Sequence, residues 1–193
     1  MGIFVHISSS RLNMFVVEKK PKSISAESYK TLRTNIQYSS FDKEIRTIVV
    51  TSSEPGEGKS TTSGNLAFAF AQSDKKTIII DCDLRKPSLH KKFKISNTSG
   101  LSDVLIGRVK VDEAVHEYSK NLDVLTSGKL PPNPLEMLGS KTMENLVKAL
   151  KSQYDIIILD SSPLQAVTDS QILSAKADGT VLVVRAGKTK KIQ

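Results

Sequence analysis

The stretch Ile48 to Thr61, IVVTSSEPGEGKST, constrains this chain more than any other. Ile48, Val49 and Val50 are β-branched in succession and predict a buried strand. Pro55, Gly56, Glu57 and Gly58 then break regular structure, and Lys59, Ser60 and Thr61 open a segment of helical character. A strand, a glycine turn and a helix that begins Gly-Lys-Ser form a phosphate-binding loop. Gly56 and Gly58 can take backbone angles closed to other residues, so successive N–H groups can point into one concavity. The helix N-terminus adds positive potential at the same spot. On this reading Pro55, Gly56, Glu57, Gly58, Lys59, Ser60 and Thr61 bind the nucleotide. Lys59 reaches the β- and γ-phosphates and the Ser60 hydroxyl binds Mg²⁺. Ser53 stands where the strict spacing has its first glycine. The flanking strand and helix supply the context that identifies the loop.

The rest of the chain repeats this alternation. Ser25 is a candidate N-cap, with Glu27 in the first turn and Tyr29, Leu32 and Ile36 along one helix face ending near Tyr38. The helix after the loop continues to about Gln72. Strands are expected at Thr77–Ile80, Leu122–Leu125, Ile156–Leu159 and Thr180–Val184. Two short helices are expected at Leu101–Ile106 and Val111–Tyr118, separated by Gly107. Pro131, Pro132, Asn133 and Pro134 break structure before Leu135–Leu138, and further helices fall along the stripe Met143, Leu146, Val147 and Leu150 and from about Thr168 through Ile172 and Leu173. Residues 1–20 read as an irregular lead, and 21–193 as one domain. Continuous β-branched runs alternating with amphipathic helices imply an α/β fold: a parallel sheet with helices on both faces. Ligands of such sheets bind at the carboxyl ends of the strands.

Those ends carry acids. Ile78-Ile79-Ile80 runs into Asp81-Cys82-Asp83-Leu84-Arg85, and Ile157-Ile158-Leu159 runs into Asp160-Ser161-Ser162-Pro163. An acid at a strand end is often only a turn former or helix cap. Beside a phosphate loop it gains a second reading, because Mg·ATP chemistry needs a carboxylate to hold the metal, and Asp160 is placed for that. Asp81 and Asp83 form a second acidic pair, able to accept the proton of an incoming hydroxyl. Arg85 offers a fork for phosphate oxygens or a carboxylate. Cys82 reads as a small packed side chain, since its anionic neighbours should raise its pKa.

Composition removes other classes. No apolar run approaches the ~20 residues of a membrane span. Gly2 to Leu12 is too short and too poorly patterned for a signal peptide, and Gly2 lacks the hydroxyl residue that a myristoylation site wants. One cysteine excludes an internal disulfide, and His6, His90 and His116 are scattered, so no zinc cluster is visible. A reducing cytoplasm fits. The net charge of +8 gathers at Lys19, Lys20 and Lys22, at Arg85 and Lys86, at Lys91, Lys92 and Lys94, and at Lys188, Lys190 and Lys191. Such clusters are solvated surface, or they meet an anionic membrane or an acidic partner. Aromatic residues make up only 5% and do not interleave with the basic ones, which argues against nucleic acid.

From about Pro21 to Lys188 the chain resembles the bacterial tyrosine kinases of the BY-kinase type, which help control capsule and exopolysaccharide synthesis. The resemblance rests on Ser52 to Ser60 as a Walker A of the form S-x-x-P-G-x-G-K-[ST], on Ile78 to Arg85 as a Walker A′ ending D-x-D-x-R, and on Ile157 to Pro163 as a Walker B ending D-x-x-P. The A′ motif is the specific one. The segment Ser127 to Pro134, followed by Glu136, is also similar to the family's stretch between A′ and B. The resemblance implies ATP and Mg²⁺ as cofactors. Lys59 would bind phosphates, Ser60, Asp83 and Asp160 would support the metal, and Asp81 would act as base toward a tyrosine hydroxyl. It implies protein tyrosines as substrates, and a homo-oligomeric ring through an E-x-x-R-x-x-R motif, here Glu27, Lys30 and Arg33. Lys30 departs from that motif and lacks the bidentate fork. It implies a cytoplasmic kinase, peripheral at the inner face of the cell membrane and activated by the cytoplasmic tail of a membrane adaptor.

The family chain continues with another core strand, a helix and a tyrosine-rich tail. This chain stops at Gln193, and its tyrosines, Tyr29, Tyr38, Tyr118 and Tyr154, form no cluster. The C-terminal part of the fold, with residues that enclose the adenine, is therefore expected to be missing, leaving an unpaired sheet edge. Two alternatives stand beside the kinase. One is a ParA/MinD-type deviant-Walker ATPase, although Glu54 occupies the place of that group's signature lysine. The other is a truncated, inactive fragment that still binds an adaptor or nucleotide.

Overall fold

The computed structural model describes residues 15–40, 44–187 and 189. The remainder of the irregular lead and the basic cluster at Lys188, Lys190 and Lys191 lie outside the described residues. The chain begins with a short helix, α1 (Val16–Lys19), inside the stretch expected to be irregular. Phe15 at its N-cap and Val17 within it are buried, so part of the lead belongs to the core. Helix α2 (Ile24–Gln37) is capped by Ser23, whose hydroxyl accepts from the Ala26 N–H, two residues before the cap expected at Ser25. Ser23 takes the extended backbone of an N-cap, whereas Ser25 already lies in the first turn.

Strand β1 (Thr47–Ser52), helix α3 (Lys59–Ala71) and strand β2 (Thr77–Asp81) follow the expected alternation. A small helix, α4 (Leu89–Phe93), was not anticipated, because its five residues are too few for a periodic signal. Then come α5 (Leu101–Leu105), α6 (Val111–Ala114), β3 (Val115–Ser119), β4 (Leu122–Leu125), α7 (Pro134–Gly139), α8 (Lys141–Leu150), β5 (Ile156–Asp160), α9 (Asp169–Lys176) and β6 (Gly179–Val183). The helix expected over Val111–Tyr118 stops at Ala114, and the next five residues form an edge strand. Val115 turns to extended angles and β3 pairs antiparallel with β4 across Lys120 and Asn121. Tyr118 thereby reaches the rings of Phe68 and Phe93, at 5.8 and 5.0 Å between centroids. Tertiary packing of one aromatic overrides a weak local preference.

The sheet has six strands in the order β3-β4-β2-β5-β1-β6. All pairings are parallel except β3 with β4, so the expected parallel sheet carries one antiparallel edge strand. Alternate residues feed two cores. Ile48 and Val50, Ile79, and Ile156 and Ile158 face α1–α4. Val49, Ile78 and Ile80, and Ile157 and Leu159 face α5–α9. Both faces are covered, which is why these strands are hydrophobic without alternation. Helix α3 is buried along nearly its whole length. Its Gly64 is needed for contact: a Cβ there would lie 2.1 Å from the Phe15 ring. The described residues contain no helix long and apolar enough to cross a membrane.

Candidate functional site

Strands β1, β2 and β5 end side by side, and their ends converge on one cleft. Asp81 and Asp160 are register partners on β2 and β5. The loop after β1 turns at Gly56 and Gly58, with φ of 84° and 100°, so both glycines use the left-handed region as expected. Gly58 is the N-cap of α3 and offers no capping side chain, which leaves that helix end to a ligand. The cleft holds ≈ 470 Å³. Pro55, Gly56, Gly58, Lys59, Ser60 and Thr61 line one side, and Asp83, Arg85, Lys86, Ser88 and Lys92 another. Ser162, Pro163, Ala166 and Val167 close it with a partly apolar wall. The Walker B loop is held against the phosphate loop by the N–H groups of Leu164 and Gln165, which donate to the carbonyls of Ser52 and Ser53.

Lys59 is central. Its Nζ lies 2.9 Å from Asp83 Oδ2 and 3.9 Å from Asp160 Oδ2, and donates to Ser60 Oγ at 3.2 Å. Burial opposes its charge, but Asp160, Asp83 and Asp81 together outweigh that and hold the ammonium above its ordinary range. Asp160 is fully buried. Its Oδ1 accepts from Ser63 Oγ at 2.8 Å, while Oδ2 has no hydrogen-bond partner among the described residues. Burial pushes the Asp160 carboxyl up, against the pull of Lys59. A bare, buried carboxylate oxygen beside a phosphate loop fits a hydrated cation. Among the described residues no group of three or more His, Cys, Asp or Glu side chains could cage a metal. Mg²⁺ in nucleotide sites needs only one or two carboxylates, with phosphates and waters supplying the rest.

Asp81 is placed differently from its expected role. It is fully buried behind the cleft wall, and Asp83 is the acid of the pair that lines the cleft. Asp81 Oδ2 accepts from the N–H groups of Ser88 and Leu89 at 3.0 and 2.9 Å, and Oδ1 from that of Asp83 at 3.2 Å. Burial, then the neighbouring Asp160, push its carboxyl up to about 7. Asp83 Oδ1 accepts from the Lys86 N–H at 3.0 Å. Cys82 packs fully buried, and burial first, then Asp81, raise its thiol well above the ordinary value.

The other candidates divide. Arg85 lines the cleft and is held there by a carboxylate: Nε and Nη2 donate to the buried Asp169 at 2.8 and 3.2 Å. Sequence reasoning missed Asp169, because its partner is 84 residues away. Glu57 turns its side chain away from the cleft. Its carboxylate accepts from the N–H groups of Glu54 and Arg185 and from the Thr189 hydroxyl, and staples the phosphate loop to the segment after β6. Burial works to raise the Glu57 carboxyl, and these hydrogen bonds bring it below the usual range. On α2, Lys30 pairs with Glu27 at 2.8 Å and also donates to the Pro21 carbonyl. Arg33 Nη1 donates to the Ala69 carbonyl of α3 at 3.2 Å. Lys92, read as one member of a basic surface cluster, instead reaches into the cleft.

A family model described as an AAA domain matches residues 45–189. Tyrosine-protein kinase YwqD of Bacillus subtilis (strain 168) is 50% identical over 175 residues, covering 90% of this chain and 74% of that protein. Among solved structures, the kinase domain of the Escherichia coli tyrosine kinase ETK superposes with a TM-score of 0.87 at 32% identity, covering 94% of this chain and 72% of that one. The chimerical protein CapA2B2 gives 0.86 at 38% identity, covering 91% and 77%. The septum site-determining protein MinD of Pyrococcus horikoshii, complexed with Mg-ADP, is more distant. Its TM-score is 0.59 at 25% identity, over 72% of this chain and 57% of that one.

Proposed function

We propose, from the premise that this chain belongs to the bacterial tyrosine-protein kinases of capsule and exopolysaccharide synthesis, that it moves the γ-phosphate of ATP to tyrosine hydroxyls of proteins. One observation carries the site assignment. A lysine from the phosphate loop, a carboxylate from β2 and a bare carboxylate oxygen from β5 meet within 4 Å at three adjacent strand ends. The ParA/MinD reading is secondary, since that relation is the distant one.

Bound Mg·ATP supplies the transferable phosphoryl group and the divalent charge that offsets its developing negative charge. Gly56, Gly58 and the first turn of α3 cradle the phosphates through backbone N–H groups. Lys59 turns from Asp83 to the phosphates, a short move for an ammonium already at the mouth of the loop. Ser60 with Asp160 and Asp83 holds the cation. Asp81, the first acid of the A′ motif, is our assignment for the proton acceptor: burial holds its carboxyl up at about 7, matched to base work at neutral pH, and the Ser88 and Leu89 N–H groups must release it before a hydroxyl can reach it. Asp83 lines the cleft and is the second reading. Arg85 acts through Asp169, keeping the A′ loop and the start of α9 in place.

Glu27, Lys30 and Arg33 are assigned to a subunit contact in a ring. Glu27 and Lys30 stand on the exposed side of α2 and can re-pair between chains. The similarity to CapA2B2, a fusion by its own name, supports an adaptor-associated kinase held at the inner face of the membrane.

Mass spectrometry after incubation with Mg·ATP and a tyrosine-rich acceptor peptide tests the reading. Phosphate on tyrosine, absent with Lys59→Met, is expected. Nucleotide binding and ATP-driven dimerisation with no phosphotyrosine would favour the MinD-like alternative.

A further inference from the structure

Lys92 stands on α4 and donates from Nζ to Thr61 Oγ1 at 3.0 Å across the cleft. It is half-buried and lines the cleft that Lys59 also lines. An ammonium has three donors. Among the described residues no carboxylate comes within ion-pair distance of Lys92, whereas Lys59 has both Asp83 and Asp160. Burial disfavours the charge of Lys92, and Lys59 repels it further, while Asp160 attracts it from longer range. A cation kept in such a place without a paired anion is poised for an anionic ligand.

The position of Lys92 is built. The N–H groups of Ser88 and Leu89, which open α4, donate to Asp81, and Phe93 is locked in the ring cluster with Phe15, 4.5 Å between centroids. Both ends of the five-residue helix are therefore fixed, and Lys92 is aimed by the core rather than by solvent.

We propose that Lys92 is a second phosphate-binding cation, which holds the α- and β-phosphates of the nucleotide from the α4 side of the cleft. The carboxylates and Lys59 gather around Ser60 and mark the metal and transfer end. Lys92 meets α3 one residue further on, at Thr61, where no carboxylate pairs with it. It therefore serves the part of the phosphate chain that ATP and ADP share. The inference rests on the cleft being the nucleotide site.

Calorimetric titration of the full chain with Mg·ATP and with Mg·ADP tests it, for wild type, Lys92→Met, Lys92→Gln, Lys92→Arg and Lys59→Met. Loss of a charge-assisted bond to phosphate is expected to weaken both nucleotides alike, by about 10- to 100-fold, in Lys92→Met and Lys92→Gln. Lys92→Arg is expected to recover most of the affinity, and Lys59→Met to weaken ATP more than ADP. The melting temperature of the nucleotide-free variants should not fall, because an unpaired, half-buried charge has been removed. If wild type binds nucleotide and both neutral variants bind it equally well, the inference is overturned while the kinase reading stands. Loss confined to ATP would overturn the α/β assignment. A wild type that binds neither nucleotide would overturn the inference together with the site reading.

Discussion

The two acid-bearing strand ends look alike in sequence and differ in what surrounds them. Each is a run of aliphatic residues that stops on aspartate, and Asp81 and Asp160 face each other in register. Yet Asp81 has both oxygens filled by backbone N–H groups of the loop that follows it. Asp160 has one oxygen on Ser63 and the other left toward Lys59. The same pattern therefore makes one carboxylate that organises its own chain and one that keeps an oxygen turned toward Lys59. The difference lies in the connection: Ser88 comes seven positions after Asp81, far enough for the chain to return and donate to it. After Asp160 the chain runs along β1 instead.

Removing the charge that links the two ends should have the largest effect. Lys59→Met is expected to lower tyrosine phosphorylation by at least about 10²–10³-fold, measured with the acceptor peptide. Next, the two aspartates should separate by stability. Asp81→Asn leaves backbone N–H groups facing an amide that cannot accept at both atoms, and should cost about 1–3 kcal/mol in denaturant unfolding. Asp160→Asn should leave stability equal or higher, since it removes one of several crowded buried carboxylates, while transfer is lost. Equal melting changes in the two variants would erase this difference between the aspartates. Asp81→Asn should also lower transfer more than nucleotide binding; equal loss of both would sink its role as base.

The pH dependence sharpens the same point. Burial holds the folded carboxyl of Asp81 up at about 7 against an ordinary value of 3.8, so the folded chain binds the proton more tightly than the unfolded one. Its stabilising contribution is full below about 4 and is lost as pH rises through 7. The melting-temperature gap between wild type and Asp81→Asn should therefore shrink from pH 5 to pH 8. A base at about 7 predicts, in addition, kcat/KM rising with pH to about 7 and then levelling. The smallest effect belongs to Lys30→Arg. A fork in place of a point charge should tighten self-association by a few-fold at most, read by sedimentation. An unchanged profile would remove α2 from the subunit contact.

Much of this was legible along the chain. Strand, loop and helix from Thr47 to Ala71 follow from β-branched residues, two glycines and Gly-Lys-Ser, because each signal is local. The aspartates at the ends of β2 and β5 follow from their position after apolar runs. Other features were not legible, because they depend on backbone choice and on distant partners. Ser23 rather than Ser25 caps α2, since two candidate caps within three residues differ only in the backbone each adopts. Residues 115–119 became a strand because β4 was there to pair with and Phe68 and Phe93 were there to cover Tyr118.

What the sequence determined by itself was the local layout: a glycine loop that opens a helix and aspartates that close two apolar runs, each set by residue type and spacing within a dozen positions. Tertiary structure decided the partners. Arg85 found Asp169, Glu57 found the segment after β6, Asp81 found the start of α4, and Lys92 left the surface for the cleft. These contacts join residues remote in sequence or aimed by a helix too short to carry a pattern. Burial, which pushes the carboxyls of Asp81 and Asp160 up, exists only once the sheet has brought its strand ends together.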